Sequence, residues 1–221
     1  QISGVLSMIK GVIFDMDGVI IDSANLHLKA WQIFLKKHGK EHTKEEFQKY
    51  FGMANKELFQ ILLPEAKKED YRKLDDEKEA IYRDLANIEL NELSGAKKLI
   101  KKLYDNGFKL IVGSSGHPEN IEFNLNKLNL SKYFQGYVSN HEVEKGKPAP
   151  DIFLKCAQKL KLNPNECIVI EDAHHGIDAA NNAEMKCIAI TSTHDKEKLK
   201  DADLIVDTLN EITIQKIKEL E

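Results

Sequence analysis

Phe14-Asp15-Met16-Asp17-Gly18-Val19-Ile20-Ile21 is the segment with the clearest chemical content. Two acids spaced by one residue follow the apolar run Gly11-Val12-Ile13-Phe14, and a glycine comes directly after them. If that run is a buried strand, residues two apart project to one side, with roughly 7 Å of backbone between them. Gly18 lets the chain leave the strand in a turn that a side chain would hinder. The two carboxylates would then face one small volume, where they repel unless a cation or a proton intervenes. The spacing points to a metal site, to acid–base work, or to both. The same pattern also occurs in solvated turns.

Three further polar sets fall where apolar runs end. They are Ser114 and Ser115 in Gly113-Ser114-Ser115-Gly116, Lys147 in Lys145-Gly146-Lys147-Pro148-Ala149-Pro150-Asp151, and the pair Glu171-Asp172. In open parallel sheets, ligands bind outside the carboxyl ends of the strands. Taken singly, these residues also read as a loop hydroxyl, a surface lysine and an acid pair at a helix start. Together they supply a nucleophile, a hydroxyl donor, a fixed cation and metal-binding carboxylates. That set suits a phosphoryl group with negative charge on several oxygens.

The elements that would carry these residues follow from hydrophobic period. Leu26, Ala30, Trp31, Phe34 and Leu35 recur at helical spacing, with Gly39 as the stop. From there to about Asn87 only helical or charged segments occur. Ala96, Leu99, Ile100, Leu103 and Tyr104 then form one helix face ending at Gly107, followed by the strand Lys109-Leu110-Ile111-Val112. A helix to about Leu128 and a short strand near Tyr137-Val138 come next. Ile152, Phe153, Cys156, Ala157 and Leu160 mark another helix. Cys167 to Ile170, Cys187 to Ile190 and Leu204 to Val206 read as strands, and a closing helix runs from about Asn210 to Leu220. Apolar strands alternating with helices predict an α/β fold, a Rossmann-like parallel sheet with helices on both faces. The helical block after the first strand reads as an inserted cap. The expected division is a core of residues 8–22 and 88–221 and a cap of residues 23–87. Residues 1–7 are read as a tag or disordered leader, because Met8 is a natural start.

At 221 residues the chain can bury one good core plus a smaller satellite domain. Lys and Arg total 32 against 36 acids, a net charge of −4, so no basic field draws it to nucleic acid. No apolar stretch has transmembrane length. The doublets Lys36-Lys37, Lys67-Lys68, Lys97-Lys98 and Lys101-Lys102 are expected on solvated helix faces. Cys156, Cys167 and Cys187 are odd in number, widely spaced and flanked by apolar residues, which argues for buried thiols in a reducing cytoplasm.

Four motifs carry a resemblance: FDMDGVIIDS, IVGSS, GKPAPDIF and VIEDAHHGIDAA, in that order. The chain from Met8 onward closely resembles the haloacid dehalogenase superfamily of phosphohydrolases, in particular its β-phosphoglucomutase-like branch with a small helical cap. The resemblance implies that Asp15 attacks phosphorus and becomes an aspartyl phosphate. Asp17 would protonate the leaving oxygen and then take a proton from the incoming water or hydroxyl. Ser114, with Ser115 beside it, and Lys147 would hold the phosphoryl oxygens. Asp15, the backbone carbonyl of Asp17 and Asp172 would bind Mg²⁺, with Glu171 in support. Ala173 stands where the family usually has serine, and Glu184 where glycine is expected. His174 and His175 invite a transition-metal reading, which the hard oxygen ligands around them oppose.

For the cap, the resemblance implies that His27, Gly52, Asn55, Lys56 and Lys78 meet the substrate. His27 would touch Asp17 or a substrate hydroxyl, and Lys78 sugar hydroxyls. A partly buried structural histidine and a solvated lysine are the plain alternatives. A sugar phosphomutase carries arginine at the position of Asn55, to grip a second phosphate. Asparagine lacks that charge, and Lys56 offers only a point charge in another direction. The expected activity is therefore Mg²⁺-dependent hydrolysis of a small phosphomonoester such as a sugar phosphate, by a cytoplasmic monomer. The alternative is a β-phosphoglucomutase. A receiver-type domain and a catalytically silent phosphate-binding protein are remoter readings.

Overall fold

Four consecutive buried residues, Gly11–Phe14, form β1 at the centre of the sheet. The structure is a computed structural model that describes residues 8–45 and 55–221. It divides into two compact units, one joining the chain up to Asp22 to Asn91–Glu221 and the other spanning Ser23–Leu90.

In the first unit, β1 pairs in parallel with β2 (Lys109–Gly113) on one side and β4 (Cys167–Glu171) on the other. With β3 (Tyr137–Val138), β5 (Lys186–Ile190) and β6 (Leu204–Val206) the order is β3-β2-β1-β4-β5-β6, every neighbour parallel. This is the α/β parallel sheet expected from the sequence. Helices cover both faces, which is why the central strands read as unbroken apolar runs rather than alternating ones. Chain order reverses between β1 and β4, the kind of point where ligands bind in open sheets.

The Ser23–Leu90 unit holds α1 (Ala24–Lys37), α2 (Asn55–Leu62) and α3 (Tyr71–Glu89). The sheet unit holds α4 (Ala96–Asp105), α5 (Pro118–Lys127), α6 (Asp151–Leu160), α7 (His174–Asn182) and α8 (Ile214–Lys218). The buried faces of α1 and α6 consist of the ten residues that helical spacing selects. On α4, Ala96, Leu99, Ile100 and Leu103 are buried, but Tyr104 is 49% exposed and meets Tyr133 edge-on at 5.3 Å. One residue further along a helix turns about 100° away, so Tyr104 sits on the flank of the stripe.

The closing helix is shorter than expected because two separate threonines cap two separate turns. Thr208 and Glu211 form a capping box on a single 3₁₀ turn, and Thr213 accepts from Lys216 N at 3.1 Å to start α8. Glu184 adopts φ +58° just past α7, the left-handed conformation that glycine favours. Holding a non-glycine residue there costs roughly 1–2 kcal/mol. No described helix is long and apolar enough to cross a membrane.

Candidate active site

Register places the acids. Phe14 lies level with Val112 of β2 and Ile170 of β4, so Asp15, Gly113 and Glu171 come level one residue later. Asp15 N continues the ladder by donating to Ile170 O at 3.0 Å, and Ser114 N donates to Val138 O at 3.0 Å. Asp15, Ser114 and Asp172 therefore leave three strands at the same carboxyl edge.

Lys147, from the loop before α6, enters this edge with its side chain only 2% exposed. Its ammonium donates to Asp15 Oδ1 at 2.6 Å and to Glu171 Oε1 at 2.7 Å, and lies 4.8 Å from the Phe153 ring centroid. Glu171 also accepts from Asp172 N at 2.8 Å and Ala173 N at 3.0 Å. Burial alone would raise the Glu171 carboxyl, but Lys147 and these two amides hold it below its ordinary value.

Asp15 and Asp172 have less compensation. Burial drives Asp15 up to about 8, with Glu171 and Asp17 adding to the rise and Lys147 opposing it. Burial and the charges of Glu171 and Asp15 take Asp172 up to about 9, against a lowering bond from Thr193. For Lys147, burial pulls the other way, yet its two carboxylates keep its ammonium above the usual lysine range.

Carboxylate oxygens of Asp15, Glu171 and Asp172 lie within 4.8 Å of one another. Three buried acids thus share one ammonium. Oxygen donors at this spacing, with too little positive charge between them, fit a hard divalent cation. Asp15 and Asp172 are the two left short of charge.

Asp17 and Ser114 border the same edge. Ser114 Oγ accepts from Gly116 N at 3.0 Å. A Cβ on Gly116 would stand 3.1 Å from that oxygen and 3.6 Å from Asp17 Oδ2, so the hydroxyl and the acid flank one small space. Ser115, next in chain, is exposed. His174 and His175 open α7, their rings perpendicular with centroids 5.4 Å apart.

Gly18, read from the sequence as the turn residue, frames this site together with Gly176, Ser192 and Thr193, which were not singled out by type and spacing. Gly18 has φ +78°, and a Cβ there would overlap Asp172 Oδ2, so the turn requires glycine on two counts. Gly176 lies under the Glu171 carboxyl, which a Cβ would strike. A glycine inside a helix, as in His174-His175-Gly176-Ile177, is a readable sign of such close approach. Ser192 and Thr193, after β5, bond to Gly18 O and to Asp172. Their only signal is a polar run directly following a buried strand.

The expected cap residues lie in the Ser23–Leu90 unit. Lys78 is not on a solvated face: it is 1% exposed, its Nζ 2.8 Å from Glu79 Oε1, 3.0 Å from His27 Nδ1 and 5.6 Å from the Trp31 ring centroid. An ammonium only donates, so Nδ1 accepts and the His27 proton sits on Nε2. His27 stacks on Tyr82 with centroids 4.2 Å apart. Asn55 donates to Asp75 Oδ1 at 2.6 Å and to Glu79 Oε1 at 2.7 Å. Lys56 is exposed, and Gly52 lies outside the described residues.

A family model described as haloacid dehalogenase-like hydrolase matches residues 12–190. The chain belongs to this family. It is an enzyme of the phosphohydrolase type with a β-phosphoglucomutase-like build. A phosphorylated carbohydrates phosphatase from Thermotoga maritima is 27% identical over 218 residues, covering 96% of this chain and 99% of its own. A chloroplastic 5-amino-6-(5-phospho-D-ribitylamino)uracil phosphatase from Arabidopsis thaliana is 28% identical over 213 residues. That match covers 95% of this chain, which spans only 57% of the Arabidopsis enzyme's length. The crystal structure of β-phosphoglucomutase from Clostridium difficile superposes with a TM-score of 0.82 at 31% identity, covering 96% of each chain.

Proposed function

We propose that this protein is a Mg²⁺-dependent phosphatase that hydrolyses a small phosphomonoester, a sugar phosphate or a similar metabolite, through an aspartyl phosphate on Asp15. The observation that carries this reading is the buried Asp15 carboxylate bonded at 2.6 Å to the buried Lys147 ammonium, with Glu171 and Asp172 in the same cluster. Asp15 attacks phosphorus with one carboxylate oxygen, and the bond to the leaving oxygen breaks. Asp17 donates a proton to that leaving oxygen, then takes one from the water that attacks the aspartyl phosphate. Lys147 and the Ser114 hydroxyl hold phosphoryl oxygens, with Ser115 at the rim, and Lys147 favours the ionised Asp15 needed for attack. Asp15, the Asp17 carbonyl and Asp172 would ligate Mg²⁺, and Glu171 would orient Lys147 and the backbone of Asp172. When bound, the cation offsets negative charge on the phosphoryl oxygens and eases their approach to Asp15.

The Ser23–Leu90 unit is read as the substrate-selecting cap. Asn55 there is neutral and hydrogen-bonded to two acids, Asp75 and Glu79, a setting that disfavours a second phosphate and supports a substrate with one. His27, Lys56 and Lys78 are the cap side chains assigned to the substrate face. Free, buried thiols at Cys156, Cys167 and Cys187 support a reducing compartment, which we read as the cytoplasm.

The likeness to a β-phosphoglucomutase keeps the mutase as the alternative. Purified protein is expected to release inorganic phosphate from members of a phosphorylated-metabolite panel only when Mg²⁺ is present. Asp15→Asn should lower that release at least about 10³-fold in a protein that still folds. Conversion of β-glucose 1-phosphate to glucose 6-phosphate without phosphate loss would replace hydrolysis with the mutase. Full activity in Asp15→Asn would remove the nucleophile assignment.

A further inference from the structure

The loop after β5 does more than return the chain to β6. Ser192 Oγ donates to Gly18 O at 2.5 Å, which ties the loop to the turn that follows Asp17. Next to it, the Thr193 hydroxyl bonds to Asp172 Oδ2. His194 Nδ1 lies 2.8 Å from Thr193 Oγ1 and 3.1 Å from Asp172 O.

The directions of these bonds follow from what each atom can do. A carbonyl oxygen only accepts, so His194 Nδ1 carries a proton and donates. That proton also points at Thr193 Oγ1, which therefore accepts from His194 and directs its single O–H to the nearer of two acceptors, Asp172 Oδ2 rather than Asp172 O at 3.3 Å. Gly18 lies against the same oxygen, where any Cβ would overlap Oδ2 and stand 3.0 Å from Thr193 Cγ2. Asp172 Oδ2 is thus bonded by a hydroxyl and crowded by a glycine, which commits one oxygen of a carboxylate that belongs to the shared acid cluster.

We infer that Thr193, aimed by His194, is a positioning residue that fixes the Asp172 carboxylate for a divalent cation. A hydroxyl bond to one carboxylate oxygen sets the side-chain rotamer and leaves the second oxygen as a single, directed ligand. Without it the carboxylate rotates among several orientations, and binding must then order it. Outer-shell partners of this kind change metal affinity by about 10–100-fold when removed. Thr193 lies at the surface, so its replacement leaves the core packing intact. The inference rests on the reading that Asp15, Glu171 and Asp172 hold a metal ion.

The test is direct titration of the protein with Mn²⁺ alone, free Mn²⁺ being read by electron paramagnetic resonance, for the parent, Thr193→Val and Thr193→Ser. Valine keeps the shape and loses the hydroxyl. The expected result is a Kd raised about 10-fold or more in Thr193→Val and within about threefold of the parent in Thr193→Ser. In turnover assays, the Mg²⁺ concentration for half-maximal rate should rise in Thr193→Val while kcat at saturating Mg²⁺ changes little. If Thr193→Val does not fold, His194→Leu, which removes the donor that aims the hydroxyl, should weaken Mn²⁺ by about threefold or more. A parent-like Mn²⁺ affinity in whichever of these two variants is folded overturns the role of Thr193. A parent protein that binds no Mn²⁺ overturns the metal reading as well, whatever the variants do.

Discussion

Replacing Lys147 with methionine separates the electrostatic role of this side chain from its packing role. The methionine chain can follow the same path past Phe153 but brings no charge. In the parent, one ammonium is bonded at 2.6 and 2.7 Å to Asp15 and Glu171, and all three side chains are at least 90% buried. Removing one partner of a buried ion pair costs about 3–5 kcal/mol, because it leaves uncompensated charge. For a unit of this size, each kcal/mol corresponds to about 2–4 °C, so the melting temperature should fall by about 6–20 °C near pH 8.

The pH dependence has a definite sign. With Lys147 present, its raised pKa contributes stability that is complete below the unfolded lysine value of 10.5 and lost only above it. With Lys147 gone, Glu171 joins Asp15 and Asp172 as a carboxyl whose folded pKa lies above its unfolded one. Such groups destabilise the fold increasingly as pH rises from the unfolded carboxyl range through the folded values. The deficit of the variant should therefore shrink at about pH 5.5 and grow toward about pH 8. Added Mg²⁺ should recover part of it, by binding the folded state alone. Calorimetry is the appropriate assay, because the one tryptophan, Trp31, belongs to the Ser23–Leu90 unit and reports on the wrong part of the chain. A melting temperature within about 2 °C of the parent near pH 8 would refute the reasoning, as would a deficit that grows on acidification.

Two further perturbations address neighbouring contacts. Gly176→Ala should destabilise the sheet unit by about 1–3 kcal/mol, although alanine is the better helix former by about 1 kcal/mol, because its Cβ strikes the Glu171 carboxyl. A raised melting temperature would show that Glu171 has room to move. Metal binding should release protons: with Asp172 raised to about 9 and Asp15 to about 8, Mg²⁺ affinity should climb from about pH 6 to about pH 9. Titration calorimetry in buffers of different ionisation enthalpy measures that release, and a pH-independent affinity would contradict it.

The sheet was readable because its strands are buried on both faces and its helices bury one stripe each. Val12-Ile13-Phe14 and Cys167-Ile168-Val169-Ile170 have no polar residue to confuse the period, and each is followed by an acid. Since ligands gather at strand ends, Asp15 and Asp172 could be placed in one region before any coordinates. Lys147 was legible only as part of a set, because a lysine in a loop looks like any surface lysine until its two partners are known. Lys78 shows the other side of this limit. Its burial depends on His27, 51 positions away, and on Trp31 and Tyr82, and no local pattern signals such an enclosure. Thr193 was harder still, since its contact with Asp172 depends on the register of β5 against β4 and on how the following loop crosses the turn at Gly18.

These contacts divide one electrostatic problem among several residues. Three buried carboxylates around one ammonium are costly to bury, and an apolar cluster of similar volume would give a more stable sheet. Glu171 is fully supplied with donors and serves to hold Lys147 and the backbone of Asp172 and Ala173 in place. Lys147 in turn keeps Asp15 able to ionise, while Thr193 and Gly18 both confine Asp172 Oδ2. What remains uncompensated is concentrated on Asp15 and Asp172, the pair assigned to the cation. The repulsion among these acids is then a source of affinity, because the same repulsion that raises both carboxyls is relieved when a divalent ion binds between them.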